Sequence, residues 1–359
     1  MKKQCDIATI EDGKDILELM ESDRLDSPLQ LLTVRRDNPY ESFMIESPHS
    51  KIAIVKDDKD KVIASLAGVP KEVYINSTPT KVCYVTCMKR HPKHEGNIDW
   101  PSVFKKLYDS IDAEVYFCRF LEGNDKIQRL FMKKRKNFPS MEVLDEYKIY
   151  VISPRAHVKD PCQIYRFLQA QEEDEAAIVE FLNKYGRSRN FFPVIEKLSD
   201  IGDIQVSDFY ILRKEKEMVA IGALWNRSKV KQTLLKKGSG RFNLYRKFNG
   251  VMHSFGYAEL PEDNTELDCC YLSFLTAKDD NKDYYKSFLA RIKRPASQMA
   301  SMYIIGTNKS NPKYEVLESI RSLSFDATIN QIDASGVLGI EDTPIAIDGT
   351  NIELDVAFL

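Results

Sequence analysis

The stretch that decides the fold reads Lys81-Val-Cys-Tyr-Val-Thr-Cys-Met-Lys-Arg-His-Pro-Lys-His-Glu-Gly-Asn97 and continues through Asp99-Trp100-Pro101 to Phe138. Val82 to Met88 is β-branched and aromatic, which predicts a strand. Cations gather where it ends, at Lys89, Arg90 and Lys93, with His91 and His94 among them. Pro101, preceded by Asp99 and Trp100, marks a helix start, and Val103, Leu107 and Ile111 lie near one face of that helix. The first amides of a helix lack intrahelical partners and suit a diphosphate. A second strand over 113–120 ends in Leu121-Glu-Gly-Asn-Asp125, and Ile127, Leu130 and Phe131 follow at helical spacing.

Working outward, strand, basic turn, helix, strand and Asn-led helix in this order resemble the GNAT superfamily of acyl-CoA-dependent N-acyltransferases. The resemblance rests on that unit and on Asn124-Asp-Lys-Ile-Gln-Arg-Leu-Phe131, where the family usually reads N-x-x-A-x-x-L-Y. Asn124 and Leu130 match; Ile127 and Phe131 depart. With His91-Pro92 aligned on the family's common His-Pro, its phosphate loop Q/R-x-x-G-x-G/A falls on Glu95, Ile98 and Trp100, all three departures, and only Gly96 keeps the glycine-rich turn. Phe131 stands where a tyrosine often protonates the leaving thiolate, a proton that a phenyl ring cannot supply.

The resemblance implies an α+β, three-layer fold of two GNAT-like domains, each a mixed central sheet flanked by helices. It implies acetyl-CoA or another acyl-CoA as co-substrate. An amine attacks the thioester directly beside the splayed end of strand 82–88, whose backbone N–H near Met88 polarises the carbonyl. The implied cofactor contacts are Cys87, Met88, Lys89, His94, Gly96, Asn97, Ile98 and Asn124, with main-chain amides doing most of the phosphate binding.

At 359 residues the chain exceeds the usual single core of about 250–300 residues, and its 43% hydrophobic content is that of a globular protein. A formal charge of −2 gives no global attraction to nucleic acid, and none is expected as a partner. Seven cysteines without a C-x-x-C pair point to a reducing cytoplasm. No run approaches the roughly 18 apolar residues of a membrane span, so no membrane partner is expected.

A boundary near Ser153-Pro-Arg-Ala-His157 divides the chain into 1–153 and 158–359. The first half is expected as strand 6–10, helix 13–20, a helical excursion over 29–46, strands 52–56 and 62–74, the central unit, and strand 146–152. The order then begins again with strand 163–167, helix 174–185, strands 209–213 and 218–225 and a long basic excursion. Strand 270–277, helix 283–292, strand 302–306, helix 312–323 and closing strands near Gln331 and over 353–359 complete it. This reads as a diverged internal duplication whose copies pack as a pseudo-dimer within one chain.

The second copy's turn, Lys278-Asp-Asp-Asn-Lys-Asp283, has no glycine and three carboxylates, good caps but poor neighbours for a diphosphate. Its excursion from Trp225 to Tyr257 interleaves cations with aromatics. Trp225, Gln232, Arg241 and Tyr245 are the candidate contacts for the acceptor, a small-molecule or peptide amine. Trp225-Asn226 and the run Arg241 to Asn249 also resemble a class of bacterial tandem GNAT proteins. The spacing of His49, His91 and His94 fits no metal motif, and Glu46, Glu72 and Glu95 offer nothing that singles out a general base. The competing reading is a ligand-sensing or scaffolding protein that keeps the fold without turnover. A transfer-RNA-dependent transferase is disfavoured by the near-neutral charge.

Overall fold

The computed structural model describes residues 5–22, 29–94, 97–122, 128, 131, 137–338, 345–349 and 351–359. The first half comprises β1 (Cys5–Ile7), α1 (Gly13–Glu21), β2 (Leu29–Val34), α2 (Pro39–Glu46), β3 (Lys51–Lys56), β4 (Val62–Ile75), β5 (Thr78–Arg90), α3 (Trp100–Tyr108), β6 (Val115–Leu121) and β7 (Ser140–Ile152). The second begins with β8 (Arg166–Gln169), α4 (Glu175–Gly186), β9 (Phe209–Lys214), β10 (Glu217–Trp225) and β11 (Gln232–Gly238). It goes on through α5 (Arg241–Lys247), α6 (Asn249–Ser254), β12 (Thr265–Glu266), β13 (Cys269–Ala277), α7 (Lys282–Met299), β14 (Met302–Asn308), α8 (Lys313–Glu318), β15 (Leu323–Asp333) and α9 (Ser335–Leu338).

Twelve of the described strands form one mixed sheet in the order β1-β3-β4-β5-β6-β15-β7-β14-β13-β10-β9-β8. Matched copy to copy, the order reads alike from either edge, with one exchange at the centre. β15, from the second half, lies between β6 and β7, while β7, from the first, lies between β15 and β14. Each half therefore completes the other's sheet, and the division of the chain near residue 153 is not a division of the sheet.

Alternation along β4 and β5 distributes side chains to two layers. Ala64, Leu66, Cys83 and Val85 pack under Val103, Phe104 and Leu107 of α3. Ala67, Val69, Val73 and Tyr84 face the other way, into a core shared with Ile16, Leu19 and Met20 of α1 and with much of the second half. The duplication extends to helix starts: Thr9 N donates to Asp12 Oδ2 (2.8 Å) ahead of α1, and Gln171 N to Asp174 Oδ2 (3.0 Å) ahead of α4.

The structure corrects several expected elements. Residues 29–34 are a strand, not helix, because Leu29–Val34 finds a partner far away in sequence, β11, with which it and β12 form a separate three-stranded sheet. The closing strand over 353–359 is absent: the segment carries a 3₁₀ turn, Val356–Phe358, led by Asp355, whose carboxylate accepts from Ala357 N. α7 outruns its expected end by several residues with Pro295 inside it, and α8 stops at Glu318. Among the described residues no helix is long and apolar enough to cross a membrane.

Candidate functional site

Two wedges open in the sheet, one per half. β5 and β6 pair in parallel over only three positions, Val82–Val115 to Tyr84–Phe117, and then part. β13 and β14 do the same from Cys269–Met302 to Tyr271–Ile304. Three residues beyond the last pair, each leading strand carries a left-handed residue, Cys87 (φ 51°) and Phe274 (φ 55°), where its register against the neighbouring strand shifts. A bulge at the same place in both copies re-aims the backbone toward the wedge. Around the first bulge, Cys87 turns to the shared core and Met88 to the α3 layer. Ser65 Oγ donates to the Cys87 carbonyl at 3.0 Å, fixing the turn.

Of the remaining first-half residues singled out from sequence, Lys89, His94, Asn97 and Ile98 fall between the strand end and α3. His91 N donates to Ile63 O (2.9 Å), and His94 N to His91 O (3.0 Å), so the cationic turn starts from a hydrogen-bonded base. Lys89 and His94 are half-buried, Asn97 is exposed, and Ile98 is buried under α3. Asp99 caps α3, accepting from Ser102 Oγ at 2.6 Å, with Pro101 in the first turn. Gly96 and Asn124 lie outside the described residues. Phe131 is buried among Phe104, Phe120 and Phe138, its ring edge-on to Phe104 at 5.7 Å.

The second wedge is filled by the chain itself. Asp355 accepts from Phe274 N at 2.8 Å and from Ser273 Oγ at 3.0 Å, so a carboxylate meets the bulge amide. Behind it Glu353 takes Arg189, Lys313 and Asn311 Nδ2 (2.7 Å) as partners, and these neighbours hold its carboxyl at about 2 against the cost of burial. Tyr147 Oη donates to Leu354 O at 3.1 Å, and that ring fits because residue 306 is glycine: a Cβ there would lie 1.9 Å from the Tyr147 oxygen. Among the described residues no carboxylate plays the part of Asp355 at Cys87.

Between the wedges is a buried charged cluster that sequence reading did not assemble. Buried Glu46, at the end of α2, pairs with Arg35 at 2.7 Å and stands 3.2 Å from Arg227 Nη2. Despite its burial, Arg35, Lys231 and Arg227 hold it near 2. Lys231 Nζ donates to Leu359 O at 2.9 Å, and Arg227 Nη1 to Ala357 O at 2.8 Å. Lys71 places its ammonium 3.2 Å from the Phe358 ring centroid. The sequence signals were Glu46, one carboxylate among many, and Lys231, one cation of the excursion from Trp225, and nothing local joined them because the partners converge from both halves.

The expected acceptor residues are dispersed. Trp225 is 1% exposed, stacked under Arg227 at 4.3 Å, with Nε1 donating to Asp203 Oδ1 at 3.0 Å. Gln232 ties β11 to the first half, accepting from Arg36 N at 2.9 Å. Tyr245 packs in a separate cluster with Leu235, Phe242 and Leu260, its hydroxyl on Ala258 O at 2.6 Å. Arg241 opens α5, and its side chain lies outside what is described. Trp225 and Gln232 are fixed in packing and pairing, because each has a protein partner for its polar end.

No family model and no curated protein matches the chain. By structure it is similar to N-myristoyltransferase of Saccharomyces cerevisiae with bound myristoyl-CoA, at TM-score 0.58 and 9% identity over 99% of this chain and 90% of that one. A second structure of that yeast enzyme gives 0.57 and 8%, over 98% and 84%. A GCN5-related N-acetyltransferase from Anabaena variabilis gives 0.51 and 8%, over 91% and 72%. At such identities the likeness is one of fold. The chain has the α+β fold of GNAT-type acyltransferases in a tandem, two-domain arrangement.

Proposed function

We propose that the chain is an acyl-CoA-dependent N-acyltransferase that uses the first wedge and keeps the second as structure. One observation carries this: of two equivalent bulges, Phe274 is occupied by the chain's own Asp355, whereas Cys87 adjoins a cationic turn and a helix start. In this reading the thioester carbonyl lies at the bulge, polarised by main-chain N–H near Cys87 and Met88. Lys89, His94, Asn97 and Ile98 are the proposed contacts to the diphosphate. A neutral amine of a small molecule or peptide attacks the carbonyl carbon. The C–N bond forms, the C–S bond breaks, and the proton lost by nitrogen ends on the departing sulfur. Phe131 cannot relay it, so water carries it. Catalysis then rests on positioning and on the oriented amide. Seven free thiols support a reducing cytoplasm as its setting.

The same Phe131, sealed in an aromatic cluster, favours the second reading, a protein that binds acyl-CoA without turnover. Calorimetry of the full chain with acetyl-CoA and longer acyl-CoAs, followed by a screen of amines for thiol release, separates the two. Binding with release is the expected result; binding without release supports the sensing protein. No binding of any acyl-CoA sinks both.

A further inference from the structure

Cations of both halves gather beside Glu46. Arg35 follows β2, Lys71 lies in β4, and Arg227 and Lys231 stand in the turn between β10 and β11. Arg35, Arg227 and Lys231 are buried, Lys71 half-buried. The buried carboxylate among them is Glu46. Asp203 is 3.9 Å from Arg227 Nε and partly exposed. Asp355 is taken up by the amides of Phe274 and Ala357, and burial pushes its pKa up. Among the described residues Glu46, Asp203 and the Leu359 oxygen stand beside Arg35, Arg227 and Lys231, and none of them is paired with the Lys71 ammonium.

Arg227 and Glu46 are both incompletely hydrogen-bonded. Arg227 is 1% exposed, yet its Nε and Nη2 have no hydrogen-bond partner among the described residues, Nη2 standing near Glu46 Oε1 without hydrogen-bond geometry. Among the described residues Lys71 Nζ makes neither hydrogen bond nor ion pair, having only the Phe358 ring below it. Burial and the neighbouring guanidinium groups of Arg227 and Arg35 hold Lys71 at about 7 and Lys231 below the usual lysine range, and Arg119 on β6 adds to the field on Lys231. Buried positive charge of this kind is stabilised by a paired, hydrogen-bonded anion. The cluster also borders the core to which Cys87 turns, since Phe43 under Arg35 and Phe358 under Lys71 both belong to that core.

Resting on the acyl-transfer reading above, we infer that the acceptor amine carries an anionic oxygen group, a carboxylate or a phosphate, held at this cluster by Arg227, Lys231 and Lys71. Guanidinium and ammonium donors around one anion give short charge-assisted bonds and fix its orientation. An amine a few bonds away then reaches the thioester position at Cys87. The acceptor contacts expected from Trp225, Gln232, Arg241 and Tyr245 give way to a set drawn from both halves.

The test offers the full chain, saturated with acetyl-CoA, matched amines: lysine against cadaverine, tyrosine against tyramine, phosphoethanolamine against ethanolamine. Thiol release and melting temperature are both read. The anionic member of a pair is expected to be favoured by about tenfold or more in kcat/KM, and the carboxylate and phosphate pairs decide between the two groups. Lys71→Met is expected to erase most of that preference with acetyl-CoA affinity unchanged, and Lys71→Arg to retain it. Equal or better use of the neutral members overturns the inference, as does a preference that survives Lys71→Met. Loss of acetyl-CoA affinity in Lys71→Met assigns the cations to the cofactor and also overturns it. Where no amine releases thiol, the transferase reading is what fails. Melting then decides the cluster: the amino acids or inorganic phosphate stabilise the wild type but not Lys71→Met, or they stabilise neither and the anion site falls too.

Discussion

Glu353 holds two buried cations at once. Arg189, Lys313 and Asn311 all turn to it, and none is near it in sequence. Glu353→Gln leaves buried Lys313 facing a neutral amide and Arg189 with Asp280 alone, and a loss of about 3–5 kcal/mol is expected, read by denaturant unfolding at pH 7. The wild type should show the matching acid dependence. The folded carboxyl titrates near 2 and the unfolded one near the ordinary 4.5, so ionisation favours the native state. That contribution is full above about 4.5 and is lost as pH falls toward 2. A variant no less stable than wild type at pH 7, or one with the wild-type acid profile, contradicts this account. At this scale the sequence was partly legible. Cys87 and Met88 were placed at a strand's exit by the β-branched and aromatic run that they close, but a bulge is a backbone event that composition does not report. Glu353 and Asp355 read as members of a closing strand, because nothing local says that their carboxylates are claimed by Arg189 and by the amide of Phe274.

Among elements, β7 and β15 matter most. β15 pairs with β7 along eleven positions and with β6 along six, so either half alone has an unfilled slot flanked by unpaired strand edges. Chains 1–153 and 158–359 expressed separately are expected to aggregate. Co-expressed, they should assemble into one-to-one complexes that co-elute on gel filtration. A soluble, monomeric, folded 1–153 would show that the exchange is dispensable. Most strands were readable, since β4, β5, β9, β10 and β13 alternate or run apolar between clear turns. β2 was misread because its partner lies in the other half: Leu32 pairs with Leu234, and no local pattern announces a sheet formed at that distance. The Asn-led helix after β6, which first suggested the family, lies mostly outside the described residues.

For the whole molecule, the two wedges predict stoichiometry. Among the described residues only the first is free of the chain's own carboxylate at its bulge, so titration calorimetry with acetyl-CoA should give about one site per chain; two equivalent sites would contradict the plugged second wedge. The duplication itself was legible from the recurring order of elements, and the acidic turn at Asp279-Asp280 already set the second copy apart. The exchange was not, because a repeat in sequence does not specify which copy's strand fills which slot. That exchange also sets a timetable for synthesis. The ribosome completes β7 at Ile152 but does not finish the strand that seats against it until Asp333. At about 5–20 residues per second, the first half spends roughly 10–40 s incomplete as it leaves the tunnel. Vectorial folding, which lets most tandem proteins finish one domain before starting the next, is denied to this one. Its yield in the cell should therefore depend on translation speed and on whatever shields the open slot in the interval.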